Sequence, residues 1–185
     1  MDSKLQIISG VYRGRKLRLP PDARPTQNRA RIALFNMLES GLIDIDNISV
    51  WDAFAGSGAF GFECLSRYPD ASVVFTDTSA TSIKTVRDNL NSLDVGSRAS
   101  VFQADAIGGI SRYGKTANLV FVDAPYSMHE LGNAFVDKLS KVVSSGALVI
   151  WEQEVGHEYS PDDKMWDILR DKRYGRARFL ILRKI

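Results

Sequence analysis

Between residues 48 and 151, short apolar runs alternate with stretches of helical periodicity, and no other feature of the chain constrains its fold as strongly. Ile48–Phe54 is a short apolar strand that runs into Ala55-Gly56-Ser57-Gly58, and a helix follows at about 59–67. Val73-Val74-Phe75-Thr76 is a second strand, stopped by Asp77; Ile83, Val86 and Leu90 then recur at helical spacing over 79–93. Further strands fall at 99–104, 119–122 and 147–151. Between them lie a short helix near 106–112 and one marked by Leu131, Phe135, Val136 and Leu139. Such alternation implies parallel strands joined by right-handed crossovers. The tail breaks the pattern. Residues 166–172 and 177–182 flank Arg173-Tyr174-Gly175-Arg176, which reads as an antiparallel hairpin. The expectation is an α/β fold with a mostly parallel seven-stranded sheet and an antiparallel C-terminal hairpin.

Ahead of this body, Leu5-Gln6-Ile7-Ile8 and Lys16-Leu17-Arg18-Leu19 enclose a basic, glycine-containing connection that predicts a β-ribbon, and Ile32, Leu34, Phe35 and Leu38 predict a helix over about 27–40. A chain of 185 residues amounts to one domain, divided here into a basic extension, 1–40, and a main body, 41–185. The charge is unevenly spread. Residues 1–36 carry eight Lys and Arg against two Asp, residues 170–185 carry seven against one, and the middle is acidic. Basic ends on an acidic body point to a polyanion partner. One cysteine, Cys64, excludes an internal disulfide, and His129 and His157 stand far apart without ligand spacing, so no metal is expected. No apolar run is long enough for a membrane helix and Met1-Asp2-Ser3-Lys4 carries no signal-peptide pattern, so the chain is expected in the cytoplasm.

Gly56-Ser-Gly-Ala-Phe-Gly61 places a G-x-G-x-x-G loop between a strand and a helix. The glycines allow a tight turn and close approach of a ligand to free N–H groups at a helix N-terminus. Asp77 ends the next strand, where a carboxylate can accept both hydroxyls of a ribose. NAD and S-adenosylmethionine both present such a ribose. An acid late in the strand, Asp52, followed by Phe54 and the glycines, resembles the adenosylmethionine loop of amino-methyltransferases rather than the NAD fingerprint. Asp105, ending the third strand, is placed either to bond an adenine amino group or to cap the next helix. Asp52, Phe54, Ala55, Gly56, Gly58, Asp77, Thr78, Asp105 and Ala106 are the expected cofactor contacts.

Asp123-Ala124-Pro125-Tyr126 closes the fourth strand, at the edge of a parallel sheet where ligands bind. It resembles the (Asp/Asn/Ser)-Pro-Pro-(Tyr/Phe) motif of methyltransferases acting on exocyclic or amide nitrogens. An exocyclic amine is planar and a poor nucleophile. Acceptors such as the Asp123 carboxylate and the Ala124 carbonyl can hold its N–H groups and turn its lone pair toward a methyl donor, while Tyr126 stacks on an extruded base. Ala124 stands where the motif has its first proline. It still precedes Pro125, which biases it toward extended backbone.

The whole chain resembles the bacterial RsmD-type 16S rRNA (guanine-N2)-methyltransferase family. Tyr12-Arg13-Gly14-Arg15-Lys16 resembles that family's ribbon. Arg24-Pro25-Thr26 with Arg29 and Arg31 resembles its basic loop and helix, and Lys172-Arg173-Tyr174-Gly175 its final hairpin. The resemblance implies a class I (Rossmann-like) methyltransferase sheet and S-adenosyl-L-methionine as methyl donor. It implies methylation of the exocyclic N2 of one guanine in 16S rRNA, with the assembled small ribosomal subunit as substrate and a monomeric enzyme. Arg13, Arg15, Lys16, Arg24, Arg29 and Arg31 are the expected RNA contacts, holding phosphates rather than reading bases. Three alternatives share parts of this logic: a DNA adenine-N6 methyltransferase, a protein glutamine-N5 methyltransferase and a non-catalytic RNA-binding assembly factor.

Overall fold

The computed structural model describes residues 5–21, 23, 28–42 and 47–185. Helix α1 (Asn28–Glu39) leads into the strands β1 (Ser49–Asp52), β2 (Ser72–Asp77), β3 (Ala99–Gln103), β4 (Leu119–Val122) and β5 (Leu148–Glu154), and a hairpin of β6 (Trp166–Tyr174) and β7 (Ala177–Lys184) ends the chain. They form one sheet in the order β3-β2-β1-β4-β5-β7-β6. The first five strands are parallel; β7 is antiparallel to both β5 and β6. Helices α2 (Ala59–Arg67), α3 (Ala80–Leu93), α4 (Ala106–Gly109) and α5 (His129–Leu139) connect the parallel strands, α4 continuing into a wider turn over Ile110–Gly114. The expected class I sheet is therefore the one observed.

Period-two alternation sorts the strand residues onto two cores. Val50, Leu119, Phe121, Leu148, Ile150, Phe179 and Ile181 face one, against α1, α2 and α3. Trp51, Val120, Val122, Val149, Trp151, Leu180 and Leu182 face the other, against α4 and α5. A strand buried on both faces has no polar side to show, so the continuous apolar runs of the sequence mark central strands. The order reverses direction between β1 and β4. The carboxyl ends of these two strands open a crevice where the loops after them meet.

The N-terminal ribbon is short. One antiparallel bridge joins Gln6 and Lys16, with Ile7 N–H donating to the Arg15 carbonyl at 3.0 Å and Leu17 N–H to that of Leu5 at 2.9 Å. Leu5, Ile7 and Leu17 are buried in the same core as Leu34, Phe35 and Leu38 of α1 and Phe62 and Leu65 of α2. The Glu63 carboxylate of α2, fully buried, accepts the Ile8 and Ser9 N–H groups at 2.8 and 3.0 Å. The described part of 1–40 thus has no core of its own. Among the described residues no helix is long and apolar enough to cross a membrane.

Candidate active site

The glycine loop is seated directly on β2. A Cβ added to Gly58, whose φ is +78°, would stand 2.6 Å from the Phe62 ring, and one on Gly61 would stand 2.3 Å from the Phe75 ring. Neither position tolerates a side chain, because α2 lies against the sheet at that point. Below the loop a buried chain of bonds ties β1 to β2. Trp51 Nε1 donates to Thr76 Oγ1 at 2.9 Å, and that hydroxyl donates to the Ala53 carbonyl at 3.0 Å. Asp77 then meets the loop from the end of β2, its Oδ2 accepting the Gly56 N–H at 2.9 Å and its Oδ1 the Ser79 N–H at 2.8 Å. Each carboxylate oxygen keeps a lone pair for a further donor.

Asp52 departs from the expected direct contact. It is 1% exposed, and its carboxylate accepts the Gly61 N–H at 3.2 Å, bracing the first turn of α2 from beneath the loop. Burial pushes its pKa up to about 8; the Gly61 bond pulls the other way and the charge of Asp77 adds to the rise. Asp105 takes the capping role. Its Oδ2 accepts the Gly108 N–H at 2.6 Å, while the exposed residue still borders the cleft.

A cleft of about 960 Å³ joins the two sequence motifs. Phe54 and Gly56 line it at the glycine loop, Asp77, Thr78, Asp105 and Ala106 along the ends of β2 and β3, and Asp123 through Tyr126 at the end of β4. Ala23 and Ala30 wall one side. Ala55 and Gly58 are buried behind this surface. Ala124 is 7% exposed and packs against α5, where a Cβ on Gly132 would lie 3.5 Å from its own.

A residue that sequence reasoning missed completes the site. Glu152 of β5 is 8% exposed; its Oε1 accepts the Tyr126 hydroxyl at 2.7 Å, and its Oε2 has no hydrogen-bond partner. Asp123 and Glu152 both line the large cleft and a second cavity of about 110 Å³ beside it. Burial, then the charges of Glu152 and Asp52, lift the Asp123 carboxyl well above the usual range. Burial also raises Glu152, against the bond from Tyr126. The signal was an acid directly after the apolar run 148–151, a position with no place in either recognised motif.

The basic residues separate into two groups. Arg13, Arg15, Lys16 and Arg29 are exposed, with the Arg15 guanidinium donating to the Ser92 carbonyl at the end of α3. Arg31 corrects the expectation of an RNA contact. It is 3% exposed, because the ribbon folds over α1, and its Nη2 donates to the Gln6 carbonyl at 2.7 Å. Arg24, with Pro25 and Thr26, lies outside the described residues. In the terminal hairpin, Arg178 is buried and forks onto both Asp171 oxygens at 2.9 and 2.8 Å.

The separation of His129 and His157 is also corrected. The turn after β5 brings His157 back onto the start of α5, where the two rings stack with centroids 4.0 Å apart and planes within 8°. Glu154 joins them, so that one ligand atom from each residue lies within 4.8 Å of the others. A metal held by two imidazoles must lie near the plane of both rings, about 2 Å from each nitrogen. Face-to-face rings do not offer such a point, and Glu154 is ion-paired with Arg176.

Residues 5–183 match the family model described as conserved hypothetical protein 95. The chain is similar to ribosomal RNA small subunit methyltransferase D of Escherichia coli K12, with 33% identity over 98% of this chain and 90% of that one. The solved structure of the yhhF protein of Escherichia coli superposes with a TM-score of 0.82 at 32% identity, covering 97% of each chain. The HI0767 structure from Haemophilus influenzae gives 0.76 at 26% identity, covering 98% of each.

Proposed function

The chain belongs to the conserved hypothetical protein 95 family, and from that membership we propose that it transfers a methyl group from S-adenosylmethionine to the exocyclic N2 of a guanine in 16S rRNA. Its relatives over nearly the full chain are small-subunit rRNA methyltransferases, and the chain is a methyltransferase of that kind. The observation that carries the reading is the single cleft in which the glycine loop and Asp77 face Asp123–Tyr126.

The donor set suits adenosylmethionine. Asp77 presents carboxylate oxygens for a ribose diol, Phe54 and Ala106 supply apolar surface for an adenine, and the loop closed by Gly58 lets the backbone approach. When bound, the cofactor supplies an electrophilic methyl on a positively charged sulfur. The chain's own residues do the rest. Asp123 and the Ala124 carbonyl hold the amine N–H groups, so that its lone pair points along the cleft. Tyr126, fixed through its hydroxyl by Glu152, holds its ring as a wall against the base. An amine that accepts the methyl would shed one proton. Asp123, its basicity raised by burial, stands at that nitrogen to take it. Alignment of this kind supplies a large share of such a rate, up to about 7–11 kcal/mol in well-oriented systems.

Exposed Arg13, Arg15 and Lys16 of the ribbon and Arg29 of α1, the helix whose Ala30 lines the cleft, would hold the rRNA backbone. The substrate is read as the small ribosomal subunit and the enzyme as a cytoplasmic monomer. Transfer of a tritiated methyl group to small subunits, naked 16S rRNA, DNA and a glutamine peptide in parallel, followed by nucleoside analysis, tests the reading. N2-methylguanosine from the small subunit is the expected product; label in DNA or peptide alone refutes it.

A further inference from the structure

Glu152 is the one residue lining the cleft whose buried polar atom is left without a partner among the described residues. Oε1 is occupied by the Tyr126 hydroxyl, Oε2 is buried without a partner, and the residue lines both cavities together with Asp123. An unsatisfied buried carboxylate oxygen is costly, and a site retains one where a ligand brings the missing donor. The neighbouring charge of Glu152 also adds to burial in raising the proton affinity of Asp123, while burial raises that of Glu152. A ligand edge carrying two neighbouring N–H donors would relieve both penalties at once.

Among the bases, only guanine has that edge. Its exocyclic amine is flanked by a ring N1–H. The amines of adenine and cytosine are flanked by a bare ring nitrogen, which would set a lone pair against a carboxylate oxygen. Uracil has a ring N–H but no exocyclic amine. A glutamine side-chain amide sets a carbonyl beside its amine.

We propose that Glu152 is the specificity-determining residue of the cleft: its free Oε2 accepts the N1–H of the target guanine while Asp123 holds the N2 amine. The assignment rests on the activity proposed above and names the group that selects guanine. Tyr126 takes a second part in it, since its bond occupies Oε1 and leaves Oε2 as the acceptor still open.

The test uses small subunits assembled on 16S rRNA carrying either guanine or 2-aminopurine at the methylated position. 2-Aminopurine keeps the 2-amino group but has a bare N1. Wild-type protein is expected to favour guanine in kcat/KM by at least about 100-fold, since a site built to pair an N–H rejects an analogue lacking it. Glu152→Gln, nearly the same shape, brings an amide donor to N1. Its guanine activity should fall at least about tenfold, and its preference should shrink below about tenfold or reverse. Glu152→Asp, which keeps the charge at a shorter reach, should lose rate but retain the preference for guanine. Melting temperature and adenosylmethionine affinity should stay near wild type in both variants. Wild-type protein that uses the two bases equally, or a Gln variant whose preference stays within about threefold of wild type, overturns the assignment alone. Failure of the wild type to label guanine in any substrate overturns the proposed activity and this assignment together.

Discussion

Glu63→Ala tests how the basic ribbon is held, and its cost can be worked from the structure. Glu63 is fully buried and accepts three donors: Ile8 N–H at 2.8 Å, Ser9 N–H at 3.0 Å and Arg67 Nε at 2.7 Å. Arg67 also bonds Glu39 at 2.9 Å, so part of its charge stays balanced in the variant. Arg31, buried nearby, loses a favourable anion. Each bond to a charged group is worth about 1.5–3 kcal/mol, but the three share one carboxylate and do not add. Breaking a buried ion pair by removing one partner costs about 3–5 kcal/mol, which sets the expected loss. For a chain of this length that lowers the melting temperature by roughly 6–20 °C. Glu63→Gln should fall between the variant and wild type, because its amide keeps one acceptor and turns a donor toward a backbone N–H. Urea unfolding followed by tryptophan fluorescence gives the stability, and trypsin cleavage after Arg13 and Arg15 reports whether the ribbon has lifted. With the ribbon detached, KM for the ribosomal substrate should rise more than the dissociation constant for adenosylmethionine. A loss below about 1 kcal/mol with the ribbon still protected would refute the reasoning, since no buried charge pair could then be tying it down.

Asp77→Ala removes the acceptor proposed for the ribose, at about 1.5–3 kcal/mol per bond, so calorimetry should find adenosylmethionine bound at least tenfold more weakly; unchanged affinity would sink the assignment. Asp52 predicts a pH effect with a definite sign. Its folded pKa of about 8 lies above the unfolded value of 3.8, so its share of stability is complete below about pH 4 and is lost as the pH rises to about 8. Asp52→Asn carries no such slope and can still accept the Gly61 N–H. Its stability relative to wild type should therefore climb between pH 5 and about 8.5 in paired urea melts, and a flat difference would contradict the burial of a titrating group. Changing Arg15, Lys16 and Arg29 together to Ala should flatten the salt dependence of RNA binding by about two log–log units, at about 0.7 per phosphate on single-stranded RNA. An unaltered slope would leave those residues as ordinary surface.

How far the site could be read from the chain depended on how local each signal is. The glycine loop and Asp123-Ala124-Pro125-Tyr126 carry their meaning within six residues, because a strand–turn–helix junction is built by its own neighbours; the cleft puts both where the alternation implied. Arg31 looked like its neighbour Arg29, since both sit early in one basic helix. What separates them is the ribbon, whose Gln6 carbonyl reaches Arg31 from 25 residues away and leaves Arg29 in solvent. The histidines looked remote because 28 positions divide them, and only the turn after β5 stacks them. Glu152 was the least legible. An acid at the end of an apolar strand reads as the place where the strand leaves the core. It is buried instead because β4 and β7 pair on either side of β5 up to that point, with Val122 opposite Trp151 and Phe179 opposite Glu152. The β7 partner comes from the terminal hairpin, whose sequence marks it as a break in the α/β pattern. That antiparallel strand therefore has a chemical consequence. By covering the edge of β5 it takes water from Glu152 and leaves the carboxylate with one donor, Tyr126, and one oxygen without a partner.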